Sequence, residues 1–316
     1  MKIFGPIPSR RLGRSLGINN IPPKICTYSC SYCQVGKSLK METGRRAYYE
    51  PEEIFELVNK KIAGARHYGE HIDYLTFVPD GEPTLDINLG REIELLKSTG
   101  IKVAVITNGS LLWQEEVRRE LMQADLVSVK MDAAEEDVWR KINHPHRDLD
   151  LFNILGGIGD FAREFKGLLL TETMLIDGVN DDPGHIRQLA ILVLRVHPDK
   201  AYLAIPTRPP AEKGVLPASE TRINESYQIF SEKIPQVEYL IGFEGNAFAF
   251  TGDVKEDILS ITAVHPMRED SVRELLKKAH ASQDIVDDLV SGGKLKVTSF
   301  GGNKYYMRKF KPTKKP

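Results

Sequence analysis

From Pro51 onward the chain switches repeatedly between two hydrophobic periods. Residues 51–65 space Ile54, Leu57, Val58 and Ile62 along one helical face. Residues 71–79 (HIDYLTFVP) are short, rich in β-formers and stopped by a proline. A helix over 86–99 and a strand over 101–109 follow. Then come a helix over 114–124 and a strand over 125–133. Helical segments over 135–142 and 150–165 lead to a strand over 167–178. A helix over 183–196 precedes a strand over 201–207, and a helix over 224–234 precedes a β-like run over 237–245. Strands separated by helices of this length predict parallel βαβ units with right-handed crossovers. Periodicity alone leaves a doubly wound sheet and a complete or partial barrel both open.

One strand carries more. In residues 125–133 the two-residue period puts Val127, Val129 and Met131 on one face and Ser128, Lys130 and Asp132 on the other. A sheet covered by helices on both sides is apolar on both faces. A polar face therefore points to a barrel interior that holds a ligand, unless Lys130 and Asp132 simply mark the strand's end.

The pattern changes near Thr251-Gly252-Asp253. Helical segments over 256–266, 269–279 and 282–293 precede β-like runs over 294–300 and 304–310, with Gly301-Gly302-Asn303 as a hairpin signal between them. This is a winged helix-turn-helix pattern, and it divides the chain into a larger domain over 1–250 and a small one over 251–316. Residues 294–316 contain eight Lys/Arg and no Asp/Glu, which suits either a phosphate-facing wing and tail or a docking module with a solvated tail.

Bulk composition narrows the class without deciding it. The 316 residues are 41% hydrophobic and 28% charged with a net charge of −1, as in an ordinary globular protein without a global pull toward nucleic acid or membrane. No apolar run approaches the roughly 18 residues of a membrane span. The opening MKIFGPIP is too short and proline-broken for a secretory leader, so the cytoplasm is the expected compartment.

The chemistry is concentrated in one place. All three cysteines lie in CTYSCSYC, residues 26–33, with spacing C-x3-C-x2-C. A structural zinc site wants four ligands, and this loop offers three. A [4Fe–4S] cluster also normally takes four cysteines. Held by three, it keeps one iron open to a substrate or cofactor. Three buried cysteines acting as small hydrophobes are the remaining alternative.

C-x3-C-x2-C with the aromatic Tyr32 before the last cysteine resembles the signature of the radical S-adenosylmethionine (SAM) superfamily. The resemblance implies a [4Fe–4S] cluster on Cys26, Cys30 and Cys33, and SAM bound at the open iron and cleaved reductively to a 5′-deoxyadenosyl radical. It also implies an α/β fold, a partial (β/α)6 TIM-like barrel, here followed by the small winged-helix domain. Asp80-Gly81-Glu82-Pro83 follows a predicted strand and resembles the family's Gly-Gly-Glu element, which holds the SAM amino group. Asp stands here in place of the first Gly. An ammonium wants carboxylate and carbonyl acceptors, and Gly permits close backbone approach. Strand C-terminal ends are where barrel sites sit.

By the same resemblance, Thr107, Asn108, Ser128 and Lys130 face SAM or substrate, Tyr32 neighbours the adenine, and Lys130 and Asp132 are the candidate catalytic pair. Glu172 and Thr173 are weaker candidates. His144, His146 and Arg208 are candidate substrate contacts, and residues 205–210 a proline-stiffened lid. The leader FGPIPSRRLGRSLGINNIPPKICTYSC resembles uncharacterised iron–sulfur oxidoreductases related to the wyosine base-forming tRNA enzymes. In it, Arg10, Arg11 and Arg14 either meet phosphate or brace the loop. The expected function is radical modification of a macromolecule, RNA or tRNA first. A peptide or protein substrate, or a cluster-bearing DNA-binding regulator, is the alternative. The family resemblance also implies a flavodoxin or ferredoxin as electron donor.

Overall fold

A computed structural model describes residues 2–242 and 248–309. The chain opens with a hairpin that the hydrophobic pattern does not reveal: β1 (Ile3–Ser9) pairs antiparallel with β2 (Gly13–Ile18). Pro6 and Pro8 disguise β1 as a loop. They are tolerated because β1 is an edge strand, with a register shift between Phe4 and Ile7. The cysteine segment follows, with the short strands β3 (Ile25–Cys26) and β4 (Lys40–Met41) pairing parallel.

Then come α1 (Pro51–His67), β5 (Tyr74–Phe77), a single 3-10 turn at Pro83–Leu85, α2 (Leu89–Lys97), β6 (Lys102–Thr107), α3 (Glu115–Leu121), β7 (Leu126–Lys130), α4 (Glu136–Asn143) and α5 (Leu151–Glu164). The series ends with β8 (Leu168–Met174), α6 (Pro183–Val196), β9 (Lys200–Ala204), α7 (Glu220–Ser231) and β10 (Val237–Leu240). α7 starts four residues before its expected position because Ser219 caps it, accepting from Arg222 N at 3.3 Å. The expected run over 237–245 lies partly outside the described residues.

The eight strands form one sheet in the order β1-β2-β5-β6-β7-β8-β9-β10, parallel from β2 onward. Six strand–helix units run from β2 to α7, and β10 ends the series: a curled, partial TIM-like barrel. The convex face packs on the helices through Leu75, Phe77, Val103, Val105, Val127 and Val129, all inaccessible to solvent. On the concave face a separate small cluster, including Ala104, Leu126, Leu170 and Tyr202, fills one end. Toward the C-terminal ends the concave side chains turn polar. Ser128 and Lys130 on β7 sit beside Glu172 on β8, whose register partner is Lys130.

The C-terminal segment contains α8 (Val254–Val264), β11 (Met267–Arg268), α9 (Glu269–Lys278), α10 (Asp284–Ser291), β12 (Leu295–Phe300) and β13 (Asn303–Arg308). Its three strands form an antiparallel sheet in the order β11-β13-β12, over an apolar cluster of its own built on Ile258, Ile261, Met267, Leu275 and Val286. Buried Glu70, just after α1, ties this segment to the barrel by pairing with both Arg14 and Lys278.

Candidate active site

The cysteine loop is held by groups from three strand ends and one helix end. At the C-terminus of α4 the last carbonyls lack helical partners. Ser29 N donates to the Asn143 and His144 carbonyls at 3.1 and 3.2 Å, and Ser31 N donates to the Ile142 carbonyl at 2.9 Å. The loop thus caps the helix, and the helix fixes the loop. Tyr28 packs edge-on to Trp139 at 5.8 Å and accepts its indole N–H at 3.2 Å. Buried Thr27 accepts from Asn108 Nδ2 and exchanges a bond with Ser110 Oγ, both at 2.7 Å.

Gly81 lies against Ile25. A Cβ at Gly81 would stand 1.9 Å from the Ile25 carbonyl oxygen, so only glycine allows this contact. The close backbone approach expected at this turn is to the cysteine strand itself. Glu82 N then donates to Ile25 O at 3.2 Å. The Glu82 carboxylate is buried and turned inward: it accepts from Thr84 Oγ1 at 2.7 Å, Thr107 Oγ1 at 2.6 Å and Asn108 N at 2.8 Å. Glu82 therefore fixes Asn108, whose Nδ2 lies 3.7 Å from Cys26 Sγ. Pro83 begins the buried 3-10 turn behind it.

Asp80 behaves differently. It is 2% exposed, and neither carboxylate oxygen has a hydrogen-bond partner among the described residues. Burial raises its pKa to about 8, against the opposing pull of Lys24, and its charge is felt by Cys33.

On the opposite wall the buried carboxylate is paired on both oxygens, although Arg11 Nε is buried without a hydrogen-bond partner among the described residues. Glu172 binds Lys130 on one oxygen and Arg11 on the other, and Arg11 also reaches Ser128 Oγ at 3.3 Å. Burial alone would raise the Glu172 pKa, but Arg11 and Lys130 bring it down to about 2. Lys130 Nζ stands 5.5 Å over the Tyr32 ring. The Tyr32 hydroxyl donates to Asp132 Oδ2 at 2.5 Å, and Asn143 Nδ2 donates to the same oxygen at 2.8 Å. Met174 N occupies Asp132 Oδ1 at 2.8 Å. Asp132 is thus a hub that joins Tyr32, β8 and Asn143, and Asn143 Nδ2 also lies 3.5 Å from Cys30 Sγ.

A cavity of about 300 Å³ is lined by Val78, Pro79, Tyr32, Cys33, Lys130, Glu172 and Arg208 among others; Asp80 and Glu82 come just after Pro79 in the chain and are not among its lining residues. Val264 and His265 from the end of α8 also line it. Sequence reasoning missed His265, Gln34, Thr27 and Asn143. No motif marks them: Thr27, Gln34 and Asn143 each act through a contact more than 80 residues away in the chain, and His265 reaches the cavity only through the packing of α8. Arg208 donates to Gln34 Oε1 at 2.8 Å, Gln34 donates to Val264 O at 3.1 Å, and Glu212 N donates to Ser31 O at 3.0 Å. The proline-rich segment therefore lies across the cysteine loop. His144 and His146 do not line the cavity. His144 caps α4 in a left-handed conformation, and His146 N donates to Thr27 O at 2.9 Å, behind the cysteine loop. Of the leader arginines, Arg10 and Arg11 line the cavity, and Arg14 pairs with Glu70.

The donor set suits a cluster. The three thiols are charge-coupled to one another, and burial pushes each upward, Cys30 to about 12. Iron would replace those protons on binding. Asn108 and Asn143 supply the amide donors that thiolate ligands of metal centres commonly take. Among the described residues no three His, Cys, Asp or Glu side chains converge as around a single ion.

A family model for the radical SAM superfamily matches residues 20–190. The chain belongs to the radical SAM superfamily. It is 47% identical over 310 residues to UPF0026 protein MJ1312 of Methanocaldococcus jannaschii, covering 98% of this chain and 96% of that one. A probable dual-specificity RNA methyltransferase RlmN of Synechococcus sp. is 23% identical over 233 residues, covering 70% of this chain and 63% of that one. Among solved structures, a TYW1 with a lysine–pyruvate adduct bound superposes with a TM-score of 0.53 at 20% identity, covering 70% of this chain and 74% of that one. At that identity the likeness is one of fold. Radical SAM membership implies an enzyme that uses SAM and a [4Fe–4S] cluster. No helix among the described residues is long and apolar enough to cross a membrane.

Proposed function

We propose that this radical SAM protein binds one [4Fe–4S] cluster through Cys26, Cys30 and Cys33, cleaves SAM, and modifies RNA. The observation that carries the reading is the pairing of the three-thiol loop with an unpartnered buried carboxylate, Asp80, beside Cys33. When bound, the cluster supplies the electron that cleaves SAM to the radical that abstracts hydrogen from substrate.

The chain's own residues do the rest. Asp80 receives the SAM ammonium, the partner its two empty oxygens lack. Glu82 holds Thr107 and Asn108 in place, and Asn108 and Asn143 orient two of the thiolates. Tyr32, Asp132 and Ser128 brace the wall that carries Lys130, and the Lys130–Glu172–Arg11 set shapes the substrate side. The segment from Ile205 to Glu212 closes over the loop and keeps water from the cavity. A flavodoxin or ferredoxin delivers the electron.

RNA is the substrate class favoured by the similarity to a probable RNA methyltransferase, by the leader's likeness to the wyosine-forming tRNA enzymes, and by the basic C-terminal segment. That segment, three helices and a three-stranded sheet, is read as a winged-helix domain beginning near residue 251.

The test is anaerobic reconstitution, reduction by dithionite and addition of SAM. Roughly four irons per chain with 5′-deoxyadenosine formed supports the reading. Zinc, or iron without SAM cleavage in the presence of total RNA, overturns it.

A further inference from the structure

A second groove, of about 580 Å³, lies between residues 209–216 and the β12–β13 hairpin. It shares Gln34 and Val35 with the reaction cavity, so the two adjoin at the cysteine loop. Its charge is one-sided. Lys24, Lys213, Lys296 and Arg308 line it against a single carboxylate, Glu212, which already pairs with Lys37 at 2.8 Å. Arg308 Nη1 is buried and has no hydrogen-bond partner among the described residues. A guanidinium nitrogen hidden from water without an acceptor is costly unless a ligand supplies one.

The groove also offers Phe300, and one wall is β12, an edge strand. Cations along a channel with an aromatic face are the equipment of single-strand binding: phosphates meet the charges, and a base stacks on the ring.

We propose that this groove binds single-stranded RNA and leads it to the cavity beside Cys33, with Lys213, Lys296 and Arg308 on phosphates and Phe300 under a base. The proposal rests on the RNA reading above and adds its location. The C-terminal hairpin is one wall of the substrate channel, and the proline-rich segment is the other. Tyr305 on β13 donates to Thr207 O at 3.0 Å, so the hairpin and that segment are held as a unit. The groove is too basic for a neutral peptide. An acidic peptide is the competing occupant, and it has no use for a stacking face.

The test uses full-length, iron-loaded protein and a fluorescein-labelled single-stranded RNA of about 12 nucleotides, a length within the site sizes of single-strand binders. Binding is read without turnover, so the result stands whether or not 5′-deoxyadenosine forms. Lys213→Glu/Lys296→Glu changes two exposed side chains and leaves the core untouched. It is expected to weaken binding at least about tenfold and to lower the salt slope by about 1.4, two phosphate contacts at about 0.7 each. Arg308→Gln and Phe300→Ala each weaken binding several-fold, the second without changing the salt slope. Lys60→Glu on α1, outside the groove, binds as wild type. Unchanged affinity and slope in the folded double variant overturn the proposal. So does tighter wild-type binding of a polyglutamate peptide that the same variants lose.

Discussion

Asp80 and Glu172 are buried carboxylates on opposite sides of the cysteine loop, and their surroundings have driven them to opposite states. Glu172 sits between Arg11 and Lys130 and is held at about 2. Asp80 has no donor on either oxygen among the described residues and is raised to about 8. The chemistry of the side chain is nearly the same, so the difference is architectural. Paired groups such as Glu172 give the site its shape and need nothing further. An unpartnered one is a cost to the ligand-free protein that a bound cation would remove. On the proposed reading the turn after β5 is the wall that awaits a ligand, and at the ends of β7 and β8 the buried carboxylate is already paired.

The largest expected effect comes from removing the cysteine loop's thiols, which lie between the two walls. Cys26→Ala/Cys30→Ala/Cys33→Ala is expected to abolish iron binding and SAM cleavage while the barrel remains folded. Iron analysis and 5′-deoxyadenosine assay check this, and cleavage that persists would break the comparison at its root.

Asp80→Asn tests the turn after β5 at one atom pair. Losing a charge-assisted bond of about 1.5–3 kcal/mol predicts a loss of SAM affinity of about 10- to 150-fold, with iron content retained. Its second signature is in stability. The folded carboxyl titrates at about 8 and the unfolded one near 3.9, so the folded state holds the proton between them and wild-type stability falls as pH rises from about 4 to 8. Without SAM, Asp80→Asn should melt higher than wild type at pH 8, with the gap closing toward pH 5. Equal melting temperatures at both pH values would show that Asp80 is not the strained group.

Glu172→Gln should do the reverse. Its folded pKa lies below the unfolded value, so its contribution is present above about 4.5 and is lost as pH falls toward 2. A shift of this size corresponds to about 3 kcal/mol at pH 7. Urea melts should show Glu172→Gln destabilised at pH 7 and close to wild type near pH 2. A variant equally destabilised at both would place its effect in packing rather than charge.

The two walls also differed in what the sequence disclosed. The thiols, Asp80 and Lys130 announce themselves by spacing and by strand-end position, because local motifs and a two-residue period are written along the chain. The pairings that set their states are not. Arg11 lies 161 residues from Glu172, and Asn143 lies 113 from Cys30, so only the closed sheet brings them together. The β1–β2 hairpin, which delivers Arg11, was hidden by Pro6 and Pro8, whose usual meaning is a loop. His144 and His146 stand out in the sequence as a His-Pro-His motif. Their backbones serve to hold the cysteine loop, a role that leaves no mark in side-chain type.

The smallest effect separates ligation from tuning. Asn143 Nδ2 lies within reach of Cys30 Sγ and donates to Asp132, so it joins the cysteine loop to the end of β7. A donor to a cluster thiolate favours the more negative, reduced form. Asn143→Ala should therefore bind iron as wild type does but lower the potential of the reconstituted cluster. If the bond favours the reduced form by about 0.5–1 kcal/mol, the shift is about 20–45 mV for one electron. A redox titration followed by electron paramagnetic resonance reads this directly. An unchanged potential with normal iron content would mean that Asn143 serves Asp132 alone, and that the cysteine loop and the end of β7 are mechanically joined but electronically separate.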